Sequence, residues 1–161
     1  MQDERTPWTD QDIRYMNMAL KQASEAAAAS DDVPVGAVIV DNATGEVVAV
    51  GRNTREACQT AIGHAEIQAI EQACGQKGNW RLSDCALYVT LEPCPMCAGA
   101  ILHARIPRVV CGAKDPVAGA MGSVWSLHKH PTQKSMTTVE YGCCEPACRE
   151  VLQDFFKEKR S

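Results

Sequence analysis

Apolar residues recur at helical spacing through Ile13, Met16, Leu20, Ala23 and Ala27, and Thr9 with Asp12 three positions on has the pattern of a capping box just ahead of them. This predicts an amphipathic helix ending near Ser30. Two β-branched runs follow, Val35–Val40 and Val47–Val50, separated by Asp41-Asn-Ala-Thr-Gly45, which reads as a hairpin. Helical spacing returns over Glu66–Cys74 and is expected to stop at Gly75. Beyond it the chain alternates. Ala86–Leu91 reads as a buried strand, Pro95–Ala104 as a helix, Arg108–Ala113 as a strand and Val124–His128 as a helix-like segment. Thr137–Tyr141 reads as a fifth strand, and a last helix with Pro146 in its first turn buries Val151, Leu152, Phe155 and Phe156. Strands separated by helices predict an α/β fold, a three-layer α/β/α sandwich around a mixed five-stranded sheet.

No repeat or Pro/Gly/Ser linker divides the 161 residues, so residues 1–161 are read as one domain. No run of about 18 apolar residues is present, which argues against a membrane span. The acidic, polar start is unlike a secretory signal, so a cytoplasmic location is expected. That location changes the reading of the nine cysteines. Cytosolic thiols are kept reduced and the count is odd, so metal ligands or buried thiols are expected rather than disulfides. A net charge of −4 argues against broad, sequence-blind nucleic-acid binding but leaves room for a local basic patch aimed at one RNA.

Two short motifs carry the chemistry. His64-Ala65-Glu66 stands where a helix begins, and Pro93-Cys94-Pro95-Met96-Cys97 stands where a strand gives way to a helix. Cys94 and Cys97 are one helical turn apart and present both sulfurs on one face. Helix N-termini stabilise thiolates, the form that binds zinc. If the helix beginning at His64 points its N-terminus to the same place, His64 completes a Cys2His set. Three protein ligands leave the fourth tetrahedral position for water, the mark of a catalytic rather than a structural zinc. Glu66 is close enough to reach that water without ligating the metal, which suits it to general acid and base work. A redox pair would account for Cys-x-x-Cys alone, and helix capping would account for His-Ala-Glu alone. Order, spacing and strand-helix context favour reading both halves as one site, because His-x-Glu followed by Pro-Cys-x-x-Cys is a known signature of zinc nucleobase deaminases.

Gly63-His-Ala-Glu-Ile67 and Tyr88-Val-Thr-Leu-Glu-Pro-Cys-Pro-Met-Cys-Ala-Gly-Ala100 resemble the bacterial tRNA-specific adenosine deaminases, which convert adenosine to inosine at the wobble position of an anticodon. Val33-Pro-Val-Gly-Ala-Val38, Asn53, Arg105, Val109-Val110, Gly112-Ala-Lys-Asp115, Gly122-Ser123 and Asp154-Phe-Phe156 extend the resemblance from about Ile13 to Arg160. It implies a cytidine-deaminase-like fold, one Zn2+ per chain on His64, Cys94 and Cys97, Glu66 as the catalytic group, and a homodimer. It also implies a substrate pocket built from Asn53, Val35, Ala65, Leu91 and Pro93, with Asn53 bonding the flipped adenine. The expected partner is a tRNA anticodon stem-loop, with neither DNA nor a membrane. Arg52, Arg55, Lys114, Lys157, Lys159 and Arg160 are the expected RNA contacts. The tail cations also suit a solvated helix end that offsets the macrodipole. Cys143, Cys144 and Cys148 would be either buried small hydrophobes or a second metal group. Two other functions fit the same motifs: a free-base or nucleoside deaminase for guanine, cytosine or cytidine, and a non-catalytic zinc-bearing RNA-binding subunit.

Overall fold

A computed structural model describes residues 8–131 and 136–160. The strands β1 (Gly36–Asp41), β2 (Val47–Arg52), β3 (Cys85–Leu91), β4 (Arg108–Ala113) and β5 (Thr138–Tyr141) form one sheet in the order β2-β1-β3-β4-β5. β1 runs antiparallel to both β2 and β3, while β3, β4 and β5 are parallel, so the sheet is mixed as expected. Side chains alternate between faces. Ala37, Ile39, Leu87, Val89, Val109 and Cys111 enter one core, whereas Val38, Val40, Ala86, Tyr88 and Val110 enter the other. The first core is covered by α3 (Ala65–Lys77) and α4 (Pro95–His103), through Ala65, Ala69, Ala73, Ala98 and Ile101. The second is covered by α1 (Asp10–Ser30) and α5 (Glu145–Arg160), through Tyr15, Met16, Ala19 and Cys148. Among the described residues no helix is long and apolar enough to cross a membrane.

The structure corrects two expected elements, adds a third and closes the choice left open for three cysteines; Phe156, expected to be buried by the last helix, is exposed. α3 does not stop at Gly75 but runs to Lys77, and Gly78 ends it at φ 63° with its N–H on the Cys74 carbonyl. A mid-helix glycine costs about 1 kcal/mol without breaking the ladder, whereas a left-handed residue ends it. Val124–His128 forms no α-helix. Val124 and Trp125 N–H both turn back to the Gly119 carbonyl, leaving one turn of 3-10 helix at Leu127–Lys129. A short helix, α2 (Arg55–Cys58), was not expected; the Asp32 carboxylate caps it by accepting from Glu56 N–H at 2.7 Å and Ala57 N–H at 3.1 Å. Cys143, Cys144 and Cys148 form no metal group among the described residues; Cys143 and Cys148 are buried thiols raised to about 12, chiefly by burial.

The predicted capping box is present, and Asp12 does more than cap. Its carboxylate accepts from Thr9 N–H at 3.1 Å, from Tyr88 Oη at 2.5 Å and from both terminal nitrogens of Arg108 at 3.2 and 3.3 Å. Arg108 also donates through Nε to Glu140 at 2.6 Å, so one network ties α1 to β3, β4 and β5. Burial pushes the Asp12 carboxyl up, but bonds from Arg108 and Tyr88 outweigh it and hold the group below 3.8. A depressed carboxylate contributes stability that is complete above its unfolded value and lost as pH falls through the folded one. Asp12→Asn should therefore lower stability near neutral pH by about 1.5–3 kcal/mol and flatten the acid limb below about pH 4. Chemical denaturation across pH checks this, and an acid limb equal to wild type would refute it.

Candidate metal centre and active site

Two helices begin at one place, and their first residues carry the donors. His64 is the N-cap of α3 and Cys94 the N-cap of α4, each with extended backbone, and Pro95 starts α4 without an N–H to satisfy. Gly51 lets α3 lie directly on β2, since a β-carbon there would stand 2.1 Å from the Ala65 carbonyl oxygen. His64 Nδ1 lies 3.7 Å from Cys94 Sγ and 3.4 Å from Cys97 Sγ. One donor atom from each of the three residues lies within 4.8 Å of the others, and among the described residues no fourth His, Cys, Asp or Glu joins them. Two sulfurs and one imidazole nitrogen, without a fourth protein donor, fit zinc in an open tetrahedral site.

Electrostatics distinguishes the members of the group. The neighbouring Cys97 thiol, aided by His64, draws Cys94 down to about 4, making it a thiolate at neutral pH. Cys97 is held far above its ordinary value by that thiolate, by burial and by Glu66. His64 is raised by its hydrogen bond to Cys94. Glu66, in the first turn of α3, is buried, and burial pushes its carboxyl up to about 7. A carboxyl poised there can both take and give a proton near neutrality.

A cavity of about 190 Å³ opens over this group. It is smaller than the roughly 300–1,000 Å³ of sites for drug-sized ligands and suits one flat ring system. Val35, Ala65 and Leu91 line it, as does Asn53. The Asn53 amide is engaged with backbone, Nδ2 donating to the Val33 carbonyl at 3.2 Å and Oδ1 accepting from Arg55 N–H at 3.5 Å. Pro93 is not among the lining residues; it is buried, and its carbonyl accepts from Ala120 N–H at 2.9 Å. Arg55 reaches the lining, and so do Glu92, Asp115 and Ala118, which the sequence motifs did not single out as site residues.

The basic residues are less uniform. Arg52 is paired with Glu25 at 3.3 Å, and Lys114 is exposed with its ammonium 5.2 Å from the Tyr141 ring centroid. Lys157 is exposed, Lys159 is bonded to Asp31, and the Arg160 side chain lies outside the described residues. A second depression of about 460 Å³ adjoins the cavity, sharing Asn53 and Arg55 and reaching Lys159. Asp31, Asp32 and Glu56 also line it, so three carboxylates stand beside the two cations Arg55 and Lys159.

Donors from two helix starts beside a buried carboxyl outside their set, under a small cavity, have the make-up of a metal-dependent hydrolytic site. The family model for the cytidine and deoxycytidylate deaminase zinc-binding region matches residues 9–113, and the chain belongs to that family. The tRNA-specific adenosine deaminase of Bacillus subtilis (strain 168) is 44% identical over 150 residues, spanning 93% of this chain and 91% of that protein. That of Agrobacterium fabrum (strain C58) is 42% identical over 146 residues, spanning 91% and 94%. A solved structure from a study of A-to-I editing by tRNA deaminases at the wobble position superposes with a TM-score of 0.81 at 41% identity. It covers 86% of this chain and 99% of that one.

The proton inventory predicts how metal uptake responds to pH. Cys97 must lose its proton to ligate, and His64 holds its proton above the ordinary histidine value, so protons compete with the ion. Titrating metal-free protein with zinc near pH 7 in weak buffer should release about one to two protons per ion, with affinity falling as pH falls. Uptake without proton release would contradict this donor set.

Proposed function

We propose that this chain deaminates adenosine to inosine at the wobble position of a tRNA anticodon, releasing ammonia, with one zinc ion per chain on His64, Cys94 and Cys97. The observation that carries the reading is the meeting of these three donors around buried Glu66 beneath a base-sized cavity. Relatives that align with over 90% of the chain and bear the name of tRNA-specific adenosine deaminase support the substrate. Residues 1–161 act as one domain, as a homodimer in the cytoplasm.

Zinc, when bound, supplies the Lewis acidity that makes water nucleophilic at neutral pH. Glu66 takes a proton from the attacking water and passes it to N1 of the adenine ring. It then takes the remaining proton from the hydroxyl added to the ring carbon and delivers it to the exocyclic nitrogen, so that the carbonyl forms as ammonia departs. Burial of Glu66 keeps its carboxyl close to 7, where both directions of transfer are open. Val35, Ala65 and Leu91 cover the ring and exclude water, and Pro93 supports the turn that carries Cys94. Asn53 still has one amide N–H and one lone pair beyond its backbone bonds, enough to hold a base edge. Arg52, Arg55, Lys114, Lys157, Lys159 and Arg160 serve the RNA backbone. An extruded loop base avoids the cost of opening a duplex.

A second reading has one observation in its favour. Beside the mouth three carboxylates, Asp31, Asp32 and Glu56, face two cations, Arg55 and Lys159, a balance that suits a small neutral base better than a polyanion. Inosine formation in an anticodon stem-loop, compared with turnover of free adenosine, guanine and cytidine, separates the two. The stem-loop should be strongly preferred and its apparent KM should rise with salt. Glu66→Ala should keep its metal and lose on the order of 10²–10⁴-fold or more in turnover. Brisk, salt-indifferent turnover of a free base with the stem-loop untouched would overturn the RNA assignment. Near-normal activity of metal-loaded Glu66→Ala would overturn the mechanism.

A further inference from the structure

The residue just before the Pro-Cys-x-x-Cys motif has no part in the proton transfers, yet its environment is unusual. Glu92 is buried at the end of β3, and four donors converge on its two oxygens. Oε1 accepts from Asp115 N–H at 3.1 Å and from the Ser123 hydroxyl. Oε2 accepts from Met121 N–H at 3.1 Å and from Ser123 N–H at 3.0 Å. All four belong to the segment after β4 that corrected the expected helix. The fit is close: a β-carbon on Gly119 would stand 2.4 Å from the Glu92 carboxyl carbon. Next to Glu92, the Pro93 carbonyl holds Ala120 N–H. Asp115 and Ala118, inside the span so fastened, form part of the cavity wall together with Glu92 itself.

We infer that Glu92 is a positioning residue that sets the substrate-facing wall against the ligand-bearing turn, so that the cavity and the metal centre keep one geometry. Cys94 lies two residues beyond it, and Asp115 and Ala118 follow its carboxylate. Only an acceptor with two oxygens and no hydrogen meets four donors at once. A glutamine of the same shape would turn an NH2 group toward two of them. One buried hydrogen bond lost is worth about tenfold in an equilibrium, and that is the scale expected for substrate binding. Proton transfer stays with Glu66, so turnover of bound substrate changes little. The inference rests on the substrate occupying this cavity, as proposed above.

The test uses metal-loaded Glu92→Gln and Ser123→Ala beside wild type. Hydrogen exchange, read without substrate, should show faster exchange in residues 115–123 of Glu92→Gln by about tenfold or more, with β3 and β4 unchanged. Metal content should equal wild type. With the anticodon stem-loop, KM should rise about tenfold while kcat moves less than about threefold, and Ser123→Ala should move both readouts the same way by a smaller factor. If Glu92→Gln does not fold, Ser123→Ala alone carries the comparison. Unchanged exchange in 115–123, metal loss from folded Glu92→Gln, or a fall in kcat at constant KM would each overturn the inference. A wild-type enzyme that ignores the stem-loop would overturn the RNA assignment and leave the exchange result standing.

Discussion

At Gly51 the first turn of α3 rests on β2 with no room for a side chain between them, the nearest carbonyl lying 2.1 Å from where a β-carbon would be. That contact fixes where α3 starts, and His64 caps that start. The parallel pairing of β3 with β4 delivers Cys94 to the same edge, because Glu92 N–H still bonds the Ala113 carbonyl at 2.9 Å as the chain leaves the sheet. Two rigid elements thus aim their N-termini at one point, and three donors fall within the reach of one ion.

The charges at that point explain why an ion belongs there. Two thiolates and the Glu66 carboxylate would place three negative charges in a buried volume, which the ends of two helix dipoles offset only in part. Without a cation the group settles its charge by protons: Cys94 gives one up, while Cys97 and Glu66 are pushed the other way. A dication meets the same demand directly. In the proposed site Glu66 stands outside the ligand set and keeps its capacity for proton transfer, which is the difference between a structural and a hydrolytic site.

What was legible in the sequence is what depends on near neighbours along the chain. Cys94 with Cys97, His64 with Glu66 and Thr9 with Asp12 each act within one turn, and the continuous apolar run Ala86–Leu91 marked a buried strand, although which core each side chain enters is known only from the fold. What was hidden depends on residues far apart. The cap of α2 comes from Asp32, and the backbone turns at 119–127 displace the expected helix at 124–128 because Glu92, from another element, collects their neighbours' N–H groups. Gly75 and Gly78 look equivalent in sequence, and only the left-handed backbone at Gly78 separates them. Asn53 was identified by resemblance; its bond to Arg55 is a local turn contact two residues on, whereas its bond to Val33 spans 20 positions and carries no signature in the sequence.

The central claim is that His64, Cys94 and Cys97 hold one zinc with an open position beside Glu66. X-ray absorption at the zinc edge of the purified protein tests it most directly. The account predicts one zinc per chain with two sulfurs at about 2.3 Å, and one imidazole nitrogen and one further light donor at about 2.0 Å. A third sulfur in the shell, or a protein that purifies active without zinc, would contradict it.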